Sequence, residues 1–226
     1  RLFEVGTRFL LEGGVLTERQ AIAGVAWGRA AAEQWAEPDR AVDFFDLKAD
    51  VEALLALGGR RDWRYLAEAL PSLRPGRSAR ITAGRDTIGW LGELHPDLCR
   101  QLDLRQPPLL FELDVELSFC VQLPVFEEFS RYPQVRRDLA VVVREEVSFE
   151  RIRNEVLAAT AGTLRELRVF DVYRGPGIEA GTKSIALGLI LQERSRTLTD
   201  ADGDAVVAAV IARLRSELQA NIRDHA

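Results

Sequence analysis

The stretch Lys183-Ser184-Ile185-Ala186-Leu187-Gly188-Leu189-Ile190-Leu191 decides how the second half of this 226-residue chain folds. Ile185, Leu187, Leu189 and Leu191 recur at every second position, with Ser184, Ala186 and Gly188 between them. Successive strand side chains point to opposite faces, so this is a half-buried strand with one bulky apolar face and one small, flat face. Downstream, Thr199 and Asp202 have the form of a capping box, opening a helix with Val206, Val207, Val210, Ile211, Leu214 and Leu218 on its apolar stripe. Residues 220–223 suit a short last strand. Upstream, residues 164–173 read as a strand, joined to the decisive one through Arg174-Gly175-Pro176-Gly177 and Gly181. These glycines lie between two strands rather than before a helix, so they make a hairpin and not a phosphate-cradling loop. Further back, Ser148 caps a helix with Phe149, Ile152, Val156 and Ala159 on one face, preceded by a strand over 139–143.

The order strand, helix, strand, strand, helix, strand predicts a ferredoxin-like βαββαβ domain, with both helices on one face of a four-stranded antiparallel sheet and the other face open. Alternation places Leu139, Val141 and Val143 inward and Ala140 and Val142 outward. It predicts Phe170 and Val172 inward, with Val169, Asp171 and Tyr173 outward. The candidate surface is therefore Ala140, Tyr173 and Ser184, rimmed by Arg131. Further basic residues on the rim, Arg136, Arg137, Arg174, Lys183, Arg194 and Arg196, are candidates to meet phosphate. A flat strip beside a tyrosine suits an unpaired base stacked on the ring, its polar edge met by Ser184 or backbone groups.

The first half reads as short strands around one clear helix: an α+β module with a mixed, mainly antiparallel sheet. Strands are expected over 2–5, 21–27, 79–83, 87–94 and 109–115, and a helix over 46–57, where Leu47, Val51, Leu54 and Leu55 recur at helical spacing before Gly58-Gly59. Residues 61–70 are expected as a second helix ended by Pro71. Residues 116–129 carry Pro124 and no sustained period, which makes 121–129 a linker between domains 1–120 and 130–226.

Composition excludes several classes. The chain is 47% hydrophobic and 29% charged, as globular domains are, and no apolar run reaches the ~18 residues of a membrane-spanning helix. Two cysteines, Cys99 and Cys120, and two histidines, His95 and His225, are too few for a disulfide framework or a Cys/His metal centre, which fits a reducing cytoplasm. A net charge of -5 argues against a strongly basic nucleic-acid binder, yet residues 130–226 carry 15 basic and 14 acidic side chains, so the acidity sits in the first half. Asp43, Asp46, Asp50 and Glu52 read as the acidic start of a helix, with no metal expected. His95 reads as a structural residue ending a strand, and Cys99 has no recognisable catalytic partner. The chain has no Met and no signal-peptide pattern at its start, as expected of a piece of a longer protein.

The ordered motifs Ser130-Arg-Tyr-Pro-Gln-Val-Arg-Arg-Asp-Leu-Ala140, Phe170-Asp-Val-Tyr-Arg-Gly175, Lys183-Ser184 and Arg196-Thr-Leu-Thr199 resemble the ferredoxin-fold anticodon-binding domain of bacterial phenylalanyl-tRNA synthetase beta subunits. Arg1-Leu-Phe-Glu-Val-Gly6, Val42-Asp-Phe-Phe-Asp-Leu-Lys-Ala49 and Ile88-Gly-Trp-Leu-Gly-Glu-Leu-His-Pro96 resemble the preceding region of that family, which often has Gly where this chain has Ala49. Inside a helix Ala is the better former by ~1 kcal/mol, so the exchange is harmless. The resemblance implies that Ala140, Tyr173 and Ser184 surround the first anticodon base of tRNA(Phe). It also implies a class II-like first half that has lost catalysis and scaffolds the alpha subunit in an (αβ)2 heterotetramer. ATP and magnesium are then used by the whole enzyme, with no cofactor in this fragment. Two rivals of other classes are a small-molecule-binding regulatory βαββαβ domain fused to an α/β module, and a purely structural oligomerisation piece. A Tyr173→Ala change would weaken RNA binding under the resemblance and not under either rival.

Overall fold

The computed structural model describes residues 1–59, 62–119 and 129–223, and the chain divides into two compact units, Arg1–Phe126 and Glu127–Ala226. Each unit has its own apolar core.

The first unit is a six-stranded sheet built from β1 (Leu2–Glu12), β2 (Val15–Ala26), β3 (Trp63–Ala67), β4 (Leu73–Ala83), β5 (Asp86–Leu94) and β6 (Leu109–Asp114) in the order β1-β2-β6-β5-β4-β3. Every pairing between these strands is antiparallel. Helix α1 (Phe44–Leu57) buries Leu47, Val51 and Leu55, four residues apart on one face, in a core shared with Ile81, Leu91 and Leu113. Its first turn is held by a reciprocal box: Asp43 Oδ1 accepts from the Phe45 and Asp46 amides, and Asp46 accepts from the Asp43 amide. Two short helices follow β5 and β6, α2 (Pro96–Gln101) and α3 (Val115–Ser118). The second of these runs into the stretch 116–129 that lacks a sequence period.

One expectation is overturned. Of the helix expected over 61–70, the described residues 62–70 are not helical: Trp63–Ala67 is the edge strand β3, with Tyr65 opposite Ile81 and Trp63 opposite Ala83. The aromatic pair Trp63 and Tyr65 supplies both a period of two and cross-strand packing against the core, and this outweighs the helical spacing of the leucines. The expected linker 121–129 lies outside the described residues except Phe129, as does Cys120.

The second unit runs β7 (Val135–Arg144), α4 (Phe149–Ala159), β8 (Leu164–Tyr173), β9 (Thr182–Leu191), α5 (Asp200–Leu218) and β10 (Asn221–Arg223), with sheet order β10-β7-β9-β8 and every pairing antiparallel. This is the βαββαβ arrangement that the sequence predicts. Ser148 caps α4 by accepting from the Arg151 amide, and Thr199 and Asp202 close the capping box of α5. Leu139, Val141 and Val143 from β7 and Ile185, Leu187, Leu189 and Leu191 from β9 meet Ile152, Val156, Val210 and Leu214 from the two helices in one buried core. Among the described residues no helix covers the opposite face.

Candidate nucleic-acid interface

Register fixes what the open face presents, because residues opposite one another in a sheet share a face. Across the four strands, Asn221, Val142, Ser184 and Tyr173 form one row, and Arg223, Ala140, Ala186 and Asp171 the next. A third row holds Asp138, Gly188 and Arg168. Ala140 and Ser184, at 4% and 6% exposure, are the recessed floor between taller neighbours. Among the described residues the Ser184 hydroxyl has no hydrogen-bond partner, so it is free to meet a polar edge laid over the strip.

Tyr173 stands beside that floor in a fixed pose. Its hydroxyl donates to the Pro176 carbonyl at 2.8 Å, which folds the hairpin back under the ring. A Cβ on Gly175 would lie 2.7 Å from the Tyr173 hydroxyl and 2.9 Å from Cζ, so only glycine lets the ring end sit there. On the neighbouring row the Arg223 guanidinium lies 5.8 Å from the centre of the Tyr173 ring, a cation–π distance. The arrangement is a flat apolar floor, a pinned aromatic wall and a cation over that wall, which suits a planar base attached to a phosphate.

The β8 register differs from the predicted one. A bulge between Val169 and Asp171 sets Val169 opposite Leu187 and Val172 opposite Ile185, both on the helix-covered face. Phe170, expected inward, instead shares the open face with Arg136, whose guanidinium lies 5.4 Å from its ring centre. An extra residue in one strand shifts the alternation of everything beyond it, which a period count along a single strand does not reveal.

The basic residues separate into distinct settings. Arg136 is on the open face and pairs with Asp138 at 2.8 Å. Arg137 lies opposite Leu189, on the helix-covered face, where it bonds Asp200 and Asp204 at the start of α5. It is therefore displaced from the surface where the sequence placed it. Arg196 grips Asp202 with both terminal nitrogens at the same helix start. Arg174 forks onto Glu145, and the Lys183 ammonium donates to the Glu145 carbonyl at 2.6 Å. The Arg174 guanidinium, and then Lys183, hold the Glu145 carboxyl below the usual carboxylate range. Lys183 also lies opposite Val143, on the helix-covered side of the sheet. Arg194 borders a depression of about 490 Å³ with Phe129, Arg165 and Glu193, away from the Tyr173 row. Of the six cations proposed for phosphate, the structure thus brings only Arg136 onto the open face itself, while Arg174 ties the hairpin after Tyr173 to Glu145, just beyond β7. Arg168 and Arg223, not anticipated, also face it.

The acidic group of the first unit is committed to structure. Asp43 and Asp46 cap α1, Arg40 chelates Asp46, Arg1 pairs with Asp50, and Lys48 pairs with Glu52. The bonds from Arg40 hold the Asp46 carboxyl down at about 2. His95 ends β5 and caps α2, its Nδ1 accepting from the Asp97 amide. Cys99 is buried, and no metal-holding group of three or more His, Cys, Asp or Glu occurs among the described residues.

Residues 130–223 match the family model described as the ferredoxin-fold anticodon binding domain, the class that this topology and open face define. Residues 1–115 of the 226 match the model of the phenylalanyl tRNA synthetase beta chain CLM domain, and the chain belongs to that synthetase beta chain family. Similar proteins named phenylalanine-tRNA ligase beta subunit include those of Methylococcus capsulatus, 43% identical over 224 residues, and Xanthomonas axonopodis pv. citri, 45% identical over 226. That of Nitrosospira multiformis is 41% identical over 223 residues. Each alignment covers 99% of this chain and 28% of the relative, so the chain spans little more than a quarter of the length of these proteins.

Proposed function

We propose that residues 130–226 grip the anticodon of tRNA(Phe) on the open sheet face, as the anticodon-reading part of a phenylalanine-tRNA ligase. One base lies over Ala140 and Ser184 against the Tyr173 ring, with Ser184 meeting its polar edge. Arg136, Arg168 and Arg223 are then the cations placed to meet phosphates. The observation that carries this reading is the recessed strip of Ala140, Ala186 and Ser184 beside a tyrosine pinned by Gly175 and Pro176, within a stretch matching an anticodon-binding family. By holding the anticodon, the domain positions the acceptor end for an active site elsewhere in the enzyme, which couples phenylalanine to tRNA in the cytoplasm using ATP and magnesium.

The domain formed by residues 1–120, joined through 121–129, serves in this reading as a class II-like scaffold without an active site of its own. After β6 the described chain continues into the four-residue α3, and residues 109–119 contain no arginine, so the strand-to-helix element by which class II enzymes hold ATP has no counterpart there. Its partner is the alpha subunit in an (αβ)2 assembly. The β1–β2 hairpin supports this: Phe3, Val5, Phe9, Leu11 and Leu16 share one face by register, and each is at least 57% exposed. A patch of that kind on an edge strand calls for a cover.

The test compares binding of tRNA(Phe) with binding of the same tRNA carrying altered anticodon bases, at two salt concentrations, for wild type and Tyr173→Ala. Discrimination in the wild type that disappears in the variant supports the reading. Equal binding to both tRNAs by the wild type removes it.

A further inference from the structure

We propose that Phe170 is a second stacking platform, taking another unpaired base of the same RNA loop that Tyr173 contacts; the inference rests on the anticodon-binding reading above. Every other large apolar side chain of β8, namely Leu164, Leu167, Val169 and Val172, lies opposite an inward residue of β9. Phe170 is the exception, turned onto the open face by the bulge and left 50% exposed. A bulge that re-aims one side chain is a built feature of a strand, and here it moves a phenyl ring from an apolar core to a polar surface.

The surroundings of the ring specify its occupant. Arg136 lies over the ring at 5.4 Å and is steadied by Asp138, so it offers a cation beside the stacking surface. The floor below is Gly188, where a Cβ would lie 3.3 Å from Asp138 and 3.6 Å from Arg136, so a bare backbone leaves that pair its place. Arg168 shares the Gly188 row. An aromatic ring with arginines beside it fits a base joined to its phosphate better than an apolar protein surface, which would leave these cations desolvated. Phe170 and Tyr173 are three residues apart, about 10 Å along a strand. Bases stacked on each other in a helix are ~3.4 Å apart along the strand, so bases on these two rings must be splayed, the form in which loops are read.

The experiment uses the complete protein containing this chain and tRNA(Phe) with 2-aminopurine placed singly at each anticodon-loop position, whose fluorescence falls on stacking. Phe170→Ala is expected to weaken binding at least about fivefold. It should also relieve quenching at a position different from the one relieved by Tyr173→Ala. Phe170→Trp should retain both properties, and Phe170→Leu, which keeps bulk without a ring face, should lose them. The proposal is overturned if Phe170→Ala leaves affinity and quenching unchanged, if it affects the same position as Tyr173→Ala, or if Phe170→Leu behaves as wild type. If Phe170→Ala has no effect while Tyr173→Ala still abolishes discrimination, the second platform alone fails. If neither variant alters binding, the open-face reading itself fails.

Discussion

Tyr173 shows how much the pose of a single side chain depends on its neighbours. Its ring stands beside the strip because its hydroxyl donates a hydrogen bond to the Pro176 carbonyl and because Gly175 has no side chain to push the ring end away. Gly175→Ala should therefore leave the fold intact, since the obstructed atoms belong to the end of a half-exposed side chain, while turning the ring off its pose. The expected outcome is a melting temperature within a few degrees of wild type and loss of anticodon discrimination comparable to Tyr173→Ala. Unchanged discrimination would show that the ring's pose in the free protein is irrelevant to binding. The floor makes the complementary case. Ala140→Leu adds bulk between Arg223 and Ala186 on a face with no helix above it, so it should block the strip at small cost in stability. The readout is weaker tRNA binding with an unchanged unfolding midpoint. Ala140 and Ser184 were reachable from alternation because the apolar sets of β7 and β9 are long enough to state their own phase, whereas Tyr173 followed only from Val172, the one residue of the expected inward set that lies beyond the bulge. Arg223 was not reachable, since three residues of strand carry too little pattern to fix a register.

Helix starts are where individual elements are most firmly specified. In α5, Thr199 accepts from the Asp202 amide while Asp202 accepts from the Thr199 amide and hydroxyl and from both terminal nitrogens of Arg196. Thr199→Ala should cost about 1 kcal/mol, read as a melting temperature lower by roughly 5 °C in a unit of this size. The same pattern sets the acid limit of the fold. Arg196, and then Thr199, hold the folded Asp202 carboxyl well below its ordinary value of 3.8, and Arg40 holds Asp46 at about 2. A depressed carboxyl stabilises the folded state fully above its unfolded value and loses that contribution as pH falls toward the folded one. Stability should therefore be level above about pH 5 and decline below pH 4. Asp202→Asn or Asp46→Asn should flatten that decline, as seen in urea midpoints at pH 6 and pH 3. Both caps are legible in sequence because capping is local. The error in residues 61–70 has the opposite cause: β3 exists because β4 lies beside it, and nothing within five residues states that neighbour. The bulge in β8 is invisible for the same reason, and with it the open-face position of Phe170.

At the scale of the molecule, the two cores and the uneven charge assign different work to the two ends of the chain. Unit 2 is close to neutral, so the proposed base-reading face, with few cations, should bind RNA with a shallow salt dependence, a slope of ~0.7 per phosphate neutralised on a single strand. Unit 1 carries the acidity and the exposed apolar hairpin. β1 is an edge strand, and a long apolar edge left bare invites aggregation, so its exposure makes sense if another chain covers it. Phe9 and Leu11 lie on the exposed face opposite Glu18 and Leu16 and contribute to neither core. Replacing both by aspartate should therefore leave the unfolding midpoint nearly unchanged and raise solubility. It should also abolish co-purification with the alpha subunit, because a charge placed at the centre of an apolar contact must be desolvated without a partner. Substituting Leu57, equally exposed but on α1, gives the control: its loss should change neither assembly nor stability appreciably. Retained assembly in the Phe9 and Leu11 variant would overturn the placement of the proposed alpha-subunit contact on this hairpin.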